Sequence, residues 1–247
     1  MILPFVLLAG GGVVLLALVL AGDEDPPVPV HEPDVPLTQS VPGSTHYKLV
    51  DAILPELTKA AQASGIPLGL LVGWIAKESG GKLSDTTSLD ERGYFQLMPS
   101  ESKRLGLDHE RLSTDSVYSI NAGLLLIAVY MKDVDALGVA PRGSSYYWRL
   151  VKLAHAMGSG AMNKIVGEAQ GAGQTGSWQM LEQYALDNNS HFLSLVKHAP
   201  AKWFPFVDAV YNVGKPFGFG TDATTVVGGV VYNDIPDPLD VLKAKGT

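Results

Sequence analysis

The sequence predicts a mainly α-helical domain, preceded by an apolar N-terminus and followed by a short irregular or β-like tail. Three observations carry this expectation. Apolar residues recur at helical spacing from about Ser44 to about Val213. A proline-rich stretch separates that region from the first 22 residues. Beyond 213 the pattern changes to short β-branched runs around a glycine pair.

Residues 1–22 carry no charged side chain. At ~1.5 Å rise per residue such a run can cross the ~30 Å hydrocarbon core of a membrane. A cleavable signal peptide is the alternative, with Val19-Leu20-Ala21 as small-residue cleavage chemistry. A signal peptide usually carries Lys or Arg ahead of its apolar run, and none is present. The segment is therefore read as a retained transmembrane anchor. Its far flank, Asp23-Glu24-Asp25, is expected to face away from the cytoplasm. Residues 23–43 (DEDPPVPVHEPDVPLTQSVPG) repeat proline, which blocks helix and sheet pairing, so they read as an extended acidic linker.

Within 44–213 the first helix is expected over Tyr47 to Ala63. Leu49, Val50, Ile53, Leu54, Leu57 and Ala61 share one stripe, and Pro55 marks a kink. Pro67 suits the first turn of a second helix that runs to Glu78 and stops at Gly80-Gly81. That helix is apolar almost all round, which predicts a buried central element. Its Gly69 and Gly73 predict close helix packing within the domain. Asp115 can cap a long helix over 116–137 that ends at Gly138. Further helices are expected at 145–156, 161–167, 177–187 and 201–212. Glycine content makes 167–177 a flexible loop or hinge. In the tail, 214–247, Thr224–Val227 and Val230–Tyr232 look like short strands.

Composition excludes several functions. The net charge is −7, whereas nucleic-acid binding needs a basic face. The chain has no cysteine, so disulfides, thiolate zinc sites and a cysteine nucleophile are excluded. None of the six histidines forms an HExxH pair; His109-Glu110-Arg111 only mimics its start. No metal and no cofactor is expected.

Glu78 is the leading candidate for chemistry. It lies in the last turn of an apolar helix, where burial and the negative end of the helix dipole both disfavour its charged form. That is what a general acid near neutral pH requires. A solvated glutamate at a helix end is the ordinary alternative, and position alone favours it.

The surroundings shift that balance. The helix reads IPLGLLVGWIAKESGG and ends in Glu78-Ser79. Next comes Gly93-Tyr94-Phe95-Gln96-Leu97-Met98-Pro99, then Ile120-Asn121-Ala122-Gly123 and Tyr130-Met131. In this order and spacing they resemble lytic transglycosylases of the soluble-lytic-transglycosylase (SLT) type, relatives of goose-type lysozyme. The resemblance begins near Tyr47, is strong from Ile66 to about Met131, and weakens toward Val210.

The resemblance implies a lysozyme-like helical domain that cleaves the MurNAc-β-1,4-GlcNAc bond of peptidoglycan. Glu78 would be the sole acid/base. It would protonate the glycosidic oxygen and then take a proton from the muramoyl C6 hydroxyl, closing a 1,6-anhydro ring. Ser79 would orient Glu78 or touch the sugar. Gly93, Tyr94, Gln96 and Met98 would line the cleft, with Asn121 nearby, although Gln96 could merely pin its loop and Tyr94, Asn121 and Tyr130 could be structural. The family usually continues with Ala-Tyr-Asn-Ala-Gly-x-Gly, its tyrosine placed to hydrogen-bond the glutamate. Here the stretch reads Ala154-His155-Ala156-Met157-Gly158-Ser159-Gly160, so His155 would stand in for that tyrosine.

Two rival readings remain. One is hydrolysis as in goose-type lysozyme, which needs a second carboxylate to hold water, with Asp90 favoured over Asp85 and Glu91. The other is an inactive wall-binding or virion structural protein. Expected partners are peptidoglycan strands, a membrane through residues 1–22, and virion or secretion-machine components. The expected location is membrane-anchored, with the domain facing the periplasm or wall, or a phage virion.

Overall fold

The computed structural model describes residues 48–219. The apolar N-terminus, the whole proline-rich linker and the expected strands of the tail lie outside the described residues.

Ten α-helices follow one another among the described residues. They are α1 Lys48–Ala52, α2 Leu54–Ser64, α3 Leu68–Glu78, α4 Pro99–Leu105, α5 Ser116–Leu137, α6 Ser145–Met157, α7 Ser159–Gly171, α8 Trp178–Asp187, α9 Asn189–Val196 and α10 Pro200–Gly214. Short 3₁₀ turns cover Glu110–Ser113 and Lys215–Phe217. The described residues contain no strand, only isolated bridges joining Arg92 to Thr86 and to Leu97.

The expected first helix is two helices. Pro55 falls in the first turn of α2, so the break comes before it, at Ile53. A proline ring inside a helix would clash with the carbonyl four residues back, here Asp51. Leu49 leaves the core face and is exposed.

Helix α3 is the centre of the fold. Every residue from Gly69 to Ala76 is buried. It lies against α10 at backbone contact. A Cβ on Gly73 would fall 2.3 Å from the Val210 carbonyl oxygen, and one on Gly69 would fall 2.4 Å from that of Gly214. The glycine pair therefore serves close helix packing. Phe217 and Phe219, just past α10, close the same end of the core.

Asp115 caps α5 by accepting from Tyr118 N at 2.9 Å, and the helix ends on left-handed Gly138. It is the one described helix long and apolar enough to cross a membrane, but 67% of that window is buried within the fold. It behaves as a core helix.

Helix α7 corrects the glycine-rich hinge, because it continues through Gly167 to Gly171. Only the remainder is loop, fastened by Gln174 N donating to Ala169 O at 2.7 Å. Glycine weakens a helix by ~1 kcal/mol but does not end it unless the backbone must turn left-handed. That turn comes at Gly173, with φ 71°. Helices α4 and α9 were not expected; both are short and lack a long apolar stripe.

Candidate active site

Glu78 ends α3, and its side chain keeps 18% of its surface exposed. Ser79, the next residue, is buried. Its hydroxyl donates to Tyr94 O at 2.9 Å, while Tyr94 N donates to Ser119 Oγ at 2.9 Å. The Tyr94 peptide is thus held between the end of α3 and the start of α5. Ser79 fixes the loop that follows Glu78.

That loop closes tightly. Arg92 and Leu97 exchange two backbone hydrogen bonds at 3.0 Å, and residues 93–96 turn between them. Gly93 has φ 73°, and a Cβ there would meet Ser119 Oγ at 2.5 Å and Leu112 O at 2.8 Å. Gln96 is itself left-handed (φ 53°) and buried; its amide donates to Gly93 O at 2.8 Å and Asp85 O at 3.3 Å. The glutamine therefore pins its own turn. Tyr94 is buried with its hydroxyl 3.2 Å from Ser116 Oγ. Phe95 lies on Gly123, where a Cβ would fall 2.1 Å from the ring. This explains the glycine of the Asn121-Ala122-Gly123 run. Asn121 is half-buried on α5, and Met98 is exposed at the cap of α4.

Helix α6 supplies what sequence reasoning missed. Lys152 is fully buried, and its ammonium donates to Glu78 Oε1. It also lies 2.9 Å from His155 Nδ1. Its charge sits 4.4 Å from the centre of the Trp74 ring and 5.0 Å from that of Phe206. Desolvation of a buried ammonium costs several kcal/mol, and aromatic faces offset part of it. Burial pushes the Lys152 amine below its ordinary value, while Glu78, Glu101 and Glu91 pull it back up. A signal was present: Lys152 is a charge inside the apolar run of α6, three residues before His155 and so on the same helical face.

His155 lies next to both Lys152 and Glu78. Burial, with the adjacent Lys152 charge, holds the imidazole well below its ordinary range, so it is neutral at pH 7. A neutral ring facing an ammonium accepts through Nδ1. Glu78 Oε1 lies 3.5 Å from that nitrogen, beyond a good hydrogen bond. Lys152, rather than His155, donates to the glutamate. His155 packs between Trp74 and Tyr130, at ring distances of 4.8 Å and 5.8 Å.

Beyond Tyr130 opens a depression of about 430 Å³, lined in part by Glu101, Arg104, Tyr130, Asp133 and Ser159. Glu78 does not line it; the Tyr130 ring, packed on His155, joins the two. Glu101 is fully engaged there, accepting from Tyr130 Oη at 2.7 Å and Met98 N at 2.9 Å.

Two carboxylates of the loop after Glu78, those of Asp90 and Glu91, are engaged too. Asp90 accepts from Arg92 Nε at 2.8 Å and lies 3.6 Å from His109 Nε2. Glu91 accepts from Thr87 Oγ1 at 2.7 Å.

The geometry is that of a mainly helical domain in which a partly exposed glutamate ends the central buried helix, with a stapled loop beside it. Residues 56–177 match the family model of the transglycosylase SLT domain, a family of lysozyme-like lytic transglycosylases that act on peptidoglycan. No curated protein and no solved structure matches the chain.

Proposed function

We propose that the protein is a peptidoglycan lytic transglycosylase that cleaves MurNAc-β-1,4-GlcNAc bonds and leaves 1,6-anhydro-MurNAc ends, with Glu78 as its acid/base. The observation that carries the reading is the setting of Glu78. It ends a helix buried without a break from Gly69 to Ala76, keeps part of its surface open, and adjoins the SLT loop at Ser79 and Tyr94.

Glu78 protonates the bridging oxygen as the glycosidic bond breaks. The substrate's N-acetyl oxygen stabilises the positive charge at C1. The C6 hydroxyl then attacks C1 and gives its proton to Glu78. The nucleophile is tethered, equivalent to effective molarities of up to ~10⁵–10⁸ M, so no carboxylate is needed to hold water. Asp90, the favoured water-holding candidate, and Glu91 support this choice over hydrolysis, since both already have partners. Ser79, Gly93, Tyr94 and Gln96 act by shaping the wall of the cleft, and Met98 and Asn121 by facing it. Residues 1–22 anchor the domain to a membrane, and 23–43 hold it toward the wall, in an envelope machine or a phage virion.

The test is the mass of the product. Purified peptidoglycan digested with the protein should release muropeptides one water lighter than lysozyme products, without new reducing ends. Asp90→Asn should leave product identity unchanged. Reducing ends that disappear in Asp90→Asn would make the protein a muramidase. Binding to sacculi without clearing would make it a wall-binding protein.

A further inference from the structure

The glutamate has a buried amine directly behind it. Glu78 keeps some exposed surface, whereas Lys152 has none. Substrate can therefore reach the carboxyl but not the ammonium. The Lys152 proton faces the Glu78 oxygen on one side and His155 Nδ1 at 2.9 Å on the other, beneath Trp74 and Phe206. The other charges that reach it are Glu101 of α4 and Glu91 of the loop. On α10, Asp208 faces Arg149, at 3.5 Å, rather than the amine.

We propose that Lys152 is a positioning and proton-storing residue: it holds the catalytic proton in the resting protein, hands it to Glu78, and recovers it when the reaction ends. The proposal rests on the reading of Glu78 as acid/base and deepens it.

A carboxylate salt-bridged to an ammonium has no proton to give. The pair as a whole has one. In a site that disfavours isolated charge, the neutral arrangement of amine and carboxylic acid becomes accessible from the ion pair by one short proton transfer. Each step balances. The ammonium passes its proton to the Glu78 carboxylate, leaving amine and acid. The acid protonates the bridging oxygen, which keeps the electron pair of the broken C1–O bond. The C6 oxygen then bonds to C1, and its proton goes to the Glu78 carboxylate and on to the amine. The protein ends as it began, and no proton is exchanged with solvent.

The form of the pair that carries one proton is the active one. Activity should thus persist to pH values well above the ~4 typical of a lone carboxyl. The experiment is the pH profile of kcat/KM for peptidoglycan clearing by the full-length protein and its Lys152→Met variant. Without the amine, the alkaline limb should move to lower pH by on the order of 2 units. An unmoved limb overturns the proposal, whatever happens to the rate. So does a variant faster than wild type at every pH, which would make Lys152 a lock.

If Lys152→Met fails to fold, a second measurement decides. NMR of the Lys152 ¹⁵Nζ should show its deprotonation moving to lower pH in Glu78→Gln than in the wild type. An unchanged titration overturns the shared proton. The two failures are distinguishable. A wild type that clears nothing at any pH removes the acid/base reading itself, whereas an active wild type with an unmoved limb removes only the role of Lys152.

Discussion

Gly73→Ala tests the packing that presents Glu78. The new Cβ would lie 2.3 Å from the Val210 carbonyl oxygen, about 1.1 Å inside the 3.4 Å where ordinary contact begins. The obstacle is backbone, so no rotamer change relieves it, and α3 and α10 must part. Overpacking costs ~1–3 kcal/mol, and a backbone clash belongs at the upper end. Alanine returns ~1 kcal/mol of helix propensity. The expected net loss is about 2 kcal/mol, or roughly 4–8 °C in Tm for a domain of this size. Gly167→Ala is the control. It is exposed in α7 with open space around its would-be Cβ, so the same substitution should raise Tm by roughly 2–4 °C. Parting α3 from α10 also separates Glu78 from the Phe206 ring over Lys152, so clearing of peptidoglycan should slow. Thermal melts and turbidity assays read both effects. A Gly73→Ala protein as stable as the wild type would refute the close contact.

Two more outcomes follow from the site. Glu78→Gln should lower cleavage by at least ~10²–10⁴-fold. It should also lower Tm, because it strips the counter-charge from a fully buried ammonium; that loss should shrink as pH rises toward ~10.4, where the unfolded lysine also gives up its proton. His155 is neutral when folded but takes a proton when unfolded below pH ~6.5, so it contributes a stability that falls as pH falls through that value. His155→Ala should flatten this part of the pH–Tm curve, and an unchanged slope would place the imidazole in solvent.

The parts of the fold legible in the sequence were those set by local chemistry. Asp115 and Gly138 bound α5 because a cap and a left-handed glycine act within one turn. The all-round apolar pattern of α3 announced burial, and Gly69 and Gly73 announced a close neighbour. Which neighbour was not legible, since α10 lies about 140 residues away along the chain. Helices α4 and α9 escaped because seven or eight residues cannot display a full amphipathic stripe. The hinge expected at 167–177 failed because glycine count says nothing about φ, and only Gly173 there turns left-handed.

The site divides in the same way. Glu78, Ser79 and the Gly93–Met98 turn are neighbours across one short loop, so motif spacing could find them. The partner of Glu78 comes from a helix 74 residues further on, and no local motif marks it. What marks it is a contradiction: a lysine in the interior of an apolar helix. A buried amine is costly, and its removal by an apolar residue would ordinarily stabilise a fold. Here it faces a carboxylate, two aromatic rings and a neutral imidazole, an arrangement in which one proton can serve two groups. The histidine that sequence alone put beside the glutamate lies 3.5 Å from it but closer, at 2.9 Å, to the lysine. The polar contact to Glu78 thus comes from the lysine, and the histidine contributes as a neighbour of both groups rather than as the donor expected in place of tyrosine.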